Sequence, residues 1–94
     1  MRQTHELKTL APYWDAIERG EKNFEVRRND RDFKNGDILK LHRLRPDMPT
    51  HYDMDDSFQK RTITKRITYV LTGGQFGIEP GYVVLGLADI EAAE

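Results

Sequence analysis

The segment from Gly20 to Arg31, GEKNFEVRRNDR, holds the densest group of side chains that could do chemistry in this chain. Its apolar and charged residues alternate, which predicts a half-buried strand with Phe24 and Val26 on the buried face. Glu25 and Arg27 then share the opposite face. A carboxylate that lies between cations should stay ionised and accept hydrogen bonds from a base or an amide.

Lysine and arginine side chains surround that carboxylate. Lys22 follows Gly20, which can end a preceding helix in the left-handed conformation and so fix the lysine at the entrance to the strand. A lysine close to a second cation can act as a base or a nucleophile. Arg27, Arg28 and Arg31 can each hold a phosphate or carboxylate through two parallel hydrogen bonds. Alternating charges on an exposed strand also commonly form cross-strand ion pairs, so the spacing alone leaves a structural interpretation open.

Four further residues could contact a ligand. His5 and Lys8 precede the helix and could line one end of the fold beside the charged segment, although a surface imidazole is the simpler interpretation of His5. Gln75 and Phe76 lie in a glycine-rich connection over residues 73–81. Because burial is less assured in such a connection, Phe76 is a candidate for stacking on a base.

No metal or cofactor is expected from the sequence. There is no cysteine, which excludes thiolate zinc sites and disulfides and favours an intracellular origin. The three histidines, His5, His42 and His51, lack the spacing of a metal-binding motif. The glycine-rich connection lacks the lysine and the serine or threonine of a phosphate-binding loop, and no dinucleotide-binding fingerprint is present.

Composition predicts one small domain over residues 1–94, with a net charge of −1. That near-neutral charge argues against a strongly basic, non-specific nucleic-acid binder. However, residues 2–45 carry 11 Lys and Arg against 8 Asp and Glu, and residues 46–59 carry four Asp without a cation. A basic surface beside an acidic loop is therefore compatible with the total. The N-terminus lacks the apolar core of a signal peptide and no apolar run approaches the roughly 20 residues of a membrane span, so a cytoplasmic protein with no membrane partner is expected.

The pattern along the chain predicts a mixed α+β fold that is mainly β. A helix over Thr9–Arg19 is expected, with Thr9 as its cap and Leu10, Trp14 and Ile17 on the face that packs against the sheet. The predicted strands cover residues 3–8, 23–27, 38–44, 62–72 and 82–87, with an Asn35-Gly36-Asp37 turn, a long polar loop over 45–59 and a tail over 88–94. Five strands and one early helix favour a small barrel.

Five short motifs follow one another along the chain: HELK at residues 5–8, GEKNFEVR at 20–27, FKNGDIL at 33–39, GGQFG at 73–77 and GYVVL at 81–85. Together with Trp14 in the helix, they resemble the ASCH domain of the PUA-like superfamily, and the likeness extends from about His5 to Leu87. It is closest to a short single-domain branch of bacterial and phage proteins. The resemblance implies a PUA-like barrel of five or six strands with one N-terminal helix beside a cleft.

The resemblance also implies an activity. ASCH domains are similar to RNA-binding PUA domains and are thought to act on RNA or modified nucleosides. One branch contains small amidohydrolases that deacylate N4-acetylcytidine with a lysine after the helix glycine, a threonine three residues later and a more distant glutamate. Lys22 matches that lysine, Glu25 stands in the place of the threonine, and Glu79 is a candidate for the glutamate. A ribonuclease-like branch would suit Lys22, Glu25 and Arg27 as a metal-free set for acid–base chemistry and phosphate stabilisation.

Three hypotheses follow, in order of preference. The first is a domain that binds RNA, single-stranded nucleic acid or a nucleotide in a basic cleft centred on Lys22, Glu25 and Arg27. In that cleft the cations contact phosphate, Glu25 contacts a base edge and Phe76 stacks. The second is a metal-free hydrolase acting on RNA or a modified nucleoside, with the same three central residues as its catalytic set. The third is a protein-interaction domain that uses the acidic segment Asp53–Asp56.

Overall fold

A six-stranded mixed sheet with one helix forms the structure, a computed structural model that describes residues 2–90. The elements, in chain order, are β1 (Thr4–Thr9), α1 (Ala11–Glu18), β2 (Phe24–Arg28), β3 (Ile38–Arg45), β4 (Met48–Tyr52), β5 (Thr62–Thr72) and β6 (Tyr82–Asp89). The strand order is β1-β3-β5-β6-β2, and β4 pairs with β3 beside this path. The predicted class, a small α+β fold that is mainly β, is confirmed.

The two end strands of this order, β1 and β2, face each other across a gap that we call the seam. β1 runs parallel to β3 and every later neighbour is antiparallel, so β1 and β2 run in opposite directions. Within residues 2–90 no backbone ladder joins them. Instead, Arg27 Nη2 donates to the Lys8 carbonyl oxygen at 2.9 Å, and Arg31 Nη1 donates to that of Glu6 at 3.1 Å. The sheet is therefore not closed by strand pairing, and arginine side chains bridge the remaining gap.

The core lies between the inner face of the sheet and α1. Strand alternation turns Leu39, Leu41 and Leu85 inward, where each is fully buried. Trp14 and Ile17 reach this layer from the helix, as their spacing predicts, and Trp14 Nε1 donates to the Leu41 carbonyl oxygen at 2.8 Å. The helix is thus fixed on β3 by packing and by one buried hydrogen bond.

The start of the predicted helix is wrong by two residues. Thr9 belongs to β1, where it pairs with Arg43, and Leu10 occupies the N-cap position without a side-chain hydrogen bond. Leu10 is 46% exposed, so it does not join the buried face. Thr9 is therefore one residue too early to cap the helix, and its hydroxyl instead accepts a hydrogen bond from Arg27 Nη2. Among residues 2–90 no helix is long and apolar enough to span a membrane.

The end of the helix agrees with the prediction for Gly20. Its φ of +79° is a left-handed conformation that glycine adopts without a steric penalty. The chain then turns back, and the backbone N–H groups of Glu21 and Lys22 both donate to the Ala16 carbonyl oxygen, at 2.9 and 3.1 Å. The backbone of Lys22 is therefore held against the helix end.

The predicted polar loop over 45–59 and the predicted tail over 88–94 both contain strand residues. β4 lies within the first, and Arg43, which also donates two hydrogen bonds to Asp15, forms an ion pair with Asp53 that holds the end of this hairpin near α1. β6 continues to Asp89, which pairs with Lys65. The rest of the predicted tail, residues 91–94, lies outside the described residues.

The predicted turn at residues 35–37 is present, and it positions Asp37 for a buried hydrogen bond with His5. The Asp37 N–H donates to the Lys34 carbonyl oxygen at 3.0 Å, and the carboxylate of Asp37 accepts a hydrogen bond from His5 Nε2 at 2.8 Å. His5 is only 6% exposed and meets the ring edge of Phe33. The interpretation of His5 as a surface imidazole is therefore wrong, since inward alternation on β1 places it in the core.

Replacing Asp37 with asparagine should remove part of the acid sensitivity of folding. Burial on its own raises the pKa of the Asp37 carboxyl, but hydrogen bonds from His5 and from the backbone N–H groups of Gln3 and Lys34 outweigh it and hold the pKa below its ordinary value. The ionised Asp37 carboxylate therefore contributes its full stabilisation above the unfolded-state pKa of about 3.9. That contribution is lost as the pH falls through the lower folded-state pKa.

Urea denaturation of the wild-type protein and of Asp37→Asn between neutral pH and pH 2 checks this expectation. The variant should be less stable by about 1–2 kcal/mol at neutral pH, and the difference should shrink in acid. A difference that stays constant down to the lowest pH would contradict the assignment.

Candidate functional site

Glu25 is buried on β2, and its apolar neighbours are exposed. Glu25 is 4% exposed, whereas Phe24 is 42% and Val26 is 53% exposed. The prediction that Glu25 and Arg27 share a face is confirmed by a hydrogen bond between their side chains, but the prediction that Phe24 and Val26 take the buried face is wrong. The reason is that β2 lies at the seam, where Lys22 and Arg27 provide partners for an inward carboxylate.

The carboxylate of Glu25 holds one cation on each oxygen. Lys22 Nζ donates to Glu25 Oε1 and Arg27 Nε donates to Oε2, both at 2.8 Å. Lys22 Nζ also donates to the Phe24 carbonyl oxygen at 2.7 Å, and Arg27 Nη2 donates to Thr9 Oγ1 at 3.1 Å. Each cation is therefore fixed by at least two hydrogen bonds, in a cluster whose side chains are at most 23% exposed.

A cleft of about 620 Å³, the first cleft, opens above this cluster along one part of the seam. Aromatic rings form part of its wall. Lys22 Nζ lies 5.5 Å from the ring centroid of Tyr13 and 4.8 Å from that of Phe24, and the Arg28 guanidinium lies 5.4 Å from that of Tyr82. Its remaining lining residues are Lys8, Thr9, Leu10, Glu25, Val26 and Arg27. The cleft thus combines fixed cations with aromatic surface.

A second cleft of about 390 Å³ continues along the seam. It shares Lys8, Arg27 and Arg28 with the first cleft, so these three residues form a common wall. Its other lining residues are Glu6, Leu7, Asp30, Arg31, Phe33 and Tyr52. Both clefts therefore lie on the side-chain bridges that join β1 to β2.

The two clefts bring together six of the nine candidate ligand-binding residues. These are Lys8, Lys22, Glu25, Arg27, Arg28 and Arg31. His5 lines neither cleft, and neither do Gln75 and Phe76, which lie in the connection between β5 and β6. Phe76 is 84% exposed there with a φ of +53°. Glu79 belongs to the same connection and also lines neither cleft.

Three aromatic residues of the first cleft have no counterpart among the predicted site residues. Tyr13 precedes Trp14 on the helix and so lies about 100° round the helix axis from it, away from the core face, which would have marked Tyr13 as exposed. Phe24 was assigned to the buried face of β2. Tyr82 reaches Arg28 because the two residues pair across β2 and β6, and this register is not visible in the sequence.

Among residues 2–90 no three His, Asp or Glu side chains lie together in a group that could hold a metal ion. The site is instead built from an ion-paired cluster and aromatic rings. Its chemistry is that of cation-assisted hydrogen bonding and stacking.

The fold and the site together define a small α+β domain with a charged, aromatic cleft between the two end strands of its sheet. The chain belongs to the family described as a domain of unknown function, DUF3850, which its residues 4–87 match. It is also 43% identical over 42 residues to an "Uncharacterized 12.9 kDa protein in GpA 3'region" of Escherichia phage P2. That match spans 45% of this chain and 38% of the phage protein, so the chain covers well under half of that relative.

Proposed function

We propose that this chain is an ASCH-like domain of the PUA-like superfamily that binds single-stranded RNA or a nucleotide in the first cleft. In this proposal the sheet is the small barrel of that fold, with Arg27 and Arg31 bridging its last gap. The supporting features are the single N-terminal helix beside a cleft and the position of the Lys22–Glu25–Arg27 cluster in that cleft.

The observation that carries the proposal is the Lys22 ammonium group, which Glu25 holds between two exposed aromatic rings. Tyr13 is 53% exposed and Phe24 is 42% exposed, so each presents aromatic surface to solvent beside the Lys22 ammonium group that lies over its ring. Stacking on aromatic side chains is the usual way in which proteins hold unpaired bases. Lys22 and Arg27 then lie where a phosphate attached to the stacked nucleoside would need positive charge.

Glu25 has a positioning role in this proposal. Both of its oxygens already accept hydrogen bonds, and its side chain is 5% exposed. The carboxylate therefore orients Lys22 and Arg27, while Tyr13 and Phe24 take the stacking role expected of Phe76.

Removing either cation should weaken RNA binding. Lys22→Ala and Arg27→Ala are each expected to lower the affinity for short single-stranded RNA about tenfold, and to reduce the salt dependence by about one unit of slope. Fluorescence anisotropy with labelled oligomers over a range of salt concentrations measures both quantities, and thermal denaturation verifies that each variant is folded.

Lys34→Ala and Arg45→Ala are matched controls, because both side chains are well exposed and neither lines a cleft. They should leave affinity and salt slope close to wild type. If the wild type binds RNA and the cleft variants behave like these controls, the first cleft is the wrong site. If no RNA or nucleotide binds, the proposal fails altogether.

A metal-free hydrolase acting on RNA or a modified nucleoside is the second candidate. It is favoured by the 2.8 Å contact between Lys22 and Glu25, which places an ammonium group and a carboxylate, the group types used in acid–base chemistry, side by side in the first cleft. Arg27 would stabilise the developing negative charge. Turnover in EDTA that disappears in Glu25→Gln would favour this candidate, whereas binding without turnover would favour the first.

The third candidate, a protein-interaction domain using Asp53–Asp56, has less support. Asp53 accepts hydrogen bonds from Arg43 and Arg61, and Asp55 accepts them from the backbone of its own turn. Half of the acidic segment is therefore engaged within the chain.

A further inference from the structure

The backbone of β2 presents alternate residues to the seam. Leu87 N–H donates to the Asn23 carbonyl oxygen at 2.9 Å, and Asn29 N–H donates to that of Gly81 at 2.8 Å. In an antiparallel ladder, residues that hydrogen-bond to the neighbouring strand alternate with residues that do not. Phe24, Val26 and Arg28 therefore direct their backbone N–H and C=O groups away from β6 and into the seam.

The same reasoning applies to β1. Ile38 N–H donates to the Gln3 carbonyl oxygen at 2.8 Å, so Gln3 and every second residue after it face β3. Glu6 and Lys8 then direct their backbone groups into the seam. The hydrogen bonds from Arg31 and Arg27 to these two carbonyl oxygens agree with this orientation.

Cationic side chains already occupy carbonyl oxygens on both edges of the seam. Lys22 takes that of Phe24, Arg27 takes that of Lys8 and Arg31 takes that of Glu6. An added peptide strand would need such carbonyl groups as acceptors. A phosphodiester chain needs only donors and positive charge, which the backbone N–H groups and the three cations provide. The seam is therefore better suited to a nucleic-acid backbone than to a peptide.

We infer that the seam binds two successive nucleotides of single-stranded RNA, one in each cleft, with the linking phosphate on the common wall. This inference rests on the proposed function and adds a second nucleoside site to it. The first nucleoside lies against Tyr13 and Phe24, and the linking phosphate contacts Arg27 and the rest of the common wall. The second nucleoside lies between Arg31 and Tyr52, which line the second cleft.

The dimensions and chemistry of the second cleft fit that role. Its volume of about 390 Å³ and the 620 Å³ of the first cleft both lie within the range of about 300–1,000 Å³ that is typical of small-ligand sites. The guanidinium plane of Arg31 can stack on a base, and Tyr52 supplies an aromatic wall. Asp30, whose side chain is 62% exposed, can accept a hydrogen bond from an exocyclic amine.

The test compares ligands that differ only in the second nucleoside. Nucleoside 3′-(methyl phosphates) of the four bases each carry one nucleoside and one singly charged phosphate, and the matching dinucleoside monophosphates add one nucleoside to the same charge. Isothermal titration calorimetry with the full chain should show that, for the preferred base, the dinucleoside monophosphate binds about tenfold more tightly than the matching one-nucleoside ligand.

Arg31→Ala and Arg31→Gln should remove this tenfold gain, which is measured within each variant as the ratio of its affinities for the two ligands and so does not depend on any change in the first cleft that follows from losing the Arg31 bridge. Arg45→Ala is the matched control, since Arg45 has the same chemistry and exposure (45% against 46% for the side chain) and also lies beside an aspartate. It should retain the full gain.

The outcomes separate the two proposals. If the one-nucleoside ligand binds and the dinucleoside binds no better, or if the gain survives both Arg31 variants, the second site is wrong while the first cleft stands. If neither ligand binds, the proposed function itself fails.

Discussion

Replacing Trp14 with alanine is expected to lower the free energy of unfolding by about 4 kcal/mol. Trp14 is 3% exposed, so its removal leaves a large cavity between α1 and the sheet. It also leaves the Leu41 carbonyl oxygen without its hydrogen bond from Trp14 Nε1. Because a domain of this size is stable by only about 5–15 kcal/mol, this loss removes roughly a quarter to four-fifths of the free energy of unfolding.

Urea denaturation followed by circular dichroism measures the change, and two variants serve as controls. Trp14→Phe keeps most of the buried ring and loses the N–H donor, so about 1–2 kcal/mol is expected. Tyr13→Ala removes an exposed aromatic residue from the same helix and should cost about 0.5 kcal/mol or less. A Trp14→Ala variant that unfolds at the wild-type urea concentration would contradict the packing of α1 on β3.

The helix and its two ends show which features of a fold are set by nearby residues and which depend on distant ones. Trp14 and Ile17 could be assigned to the core because helical spacing is a local property, and Gly20 marks the helix end for the same reason. Thr9 could not be assigned correctly, because its extended conformation comes from pairing with Arg43, which is far along the chain. The hydroxyl of Thr9 likewise finds its partner, Arg27, on β2 and not at the start of the helix.

β4 was missed because its sequence carries no strand signal. Met48, Pro49, Thr50 and His51 are all exposed, so no buried face imposes an alternating pattern. Proline is tolerated at the border of a sheet, where its nitrogen needs no partner. Pairing with β3 and the contact of Asp53 with Arg43 hold this hairpin in place, and neither interaction can be predicted from composition.

The charged members of the candidate site were predictable, but the face of β2 that they occupy was not. The period of two placed Glu25 and Arg27 on one face, but the rule that apolar side chains turn inward chose the wrong face. What decides the orientation is the supply of partners: Lys22 and Arg27 neutralise an inward carboxylate, and Thr9, from β1, receives one of Arg27's hydrogen bonds. The partner from β1 becomes visible only once the two ends of the sheet are brought together.

Replacing Glu25 with alanine is expected to cost about 3 kcal/mol of folding stability and to release the cations of the first cleft. Removing one partner of a buried ion pair leaves uncompensated charge, which is more costly than the pair itself is stabilising. Here one carboxylate serves both Lys22 and Arg27, at 2.8 Å each. Glu21→Ala is the matched control, because Glu21 pairs with Arg19 on the surface, with side chains 63% and 55% exposed, and its removal should leave stability close to that of the wild type.

A double-mutant cycle separates positioning by Glu25 from simple loss of stability. If Glu25 holds Lys22 in place for the ligand, Lys22→Ala should lower RNA affinity about tenfold in the wild-type background and by much less in the Glu25→Ala background. Lys22→Ala should likewise cost less folding stability in the Glu25→Ala background, because Lys22 has already lost its ion-pair partner there. Equal effects of Lys22→Ala on affinity in both backgrounds would mean that Lys22 acts independently of the carboxylate. The buried cluster would then stabilise the fold without positioning Lys22 for the ligand.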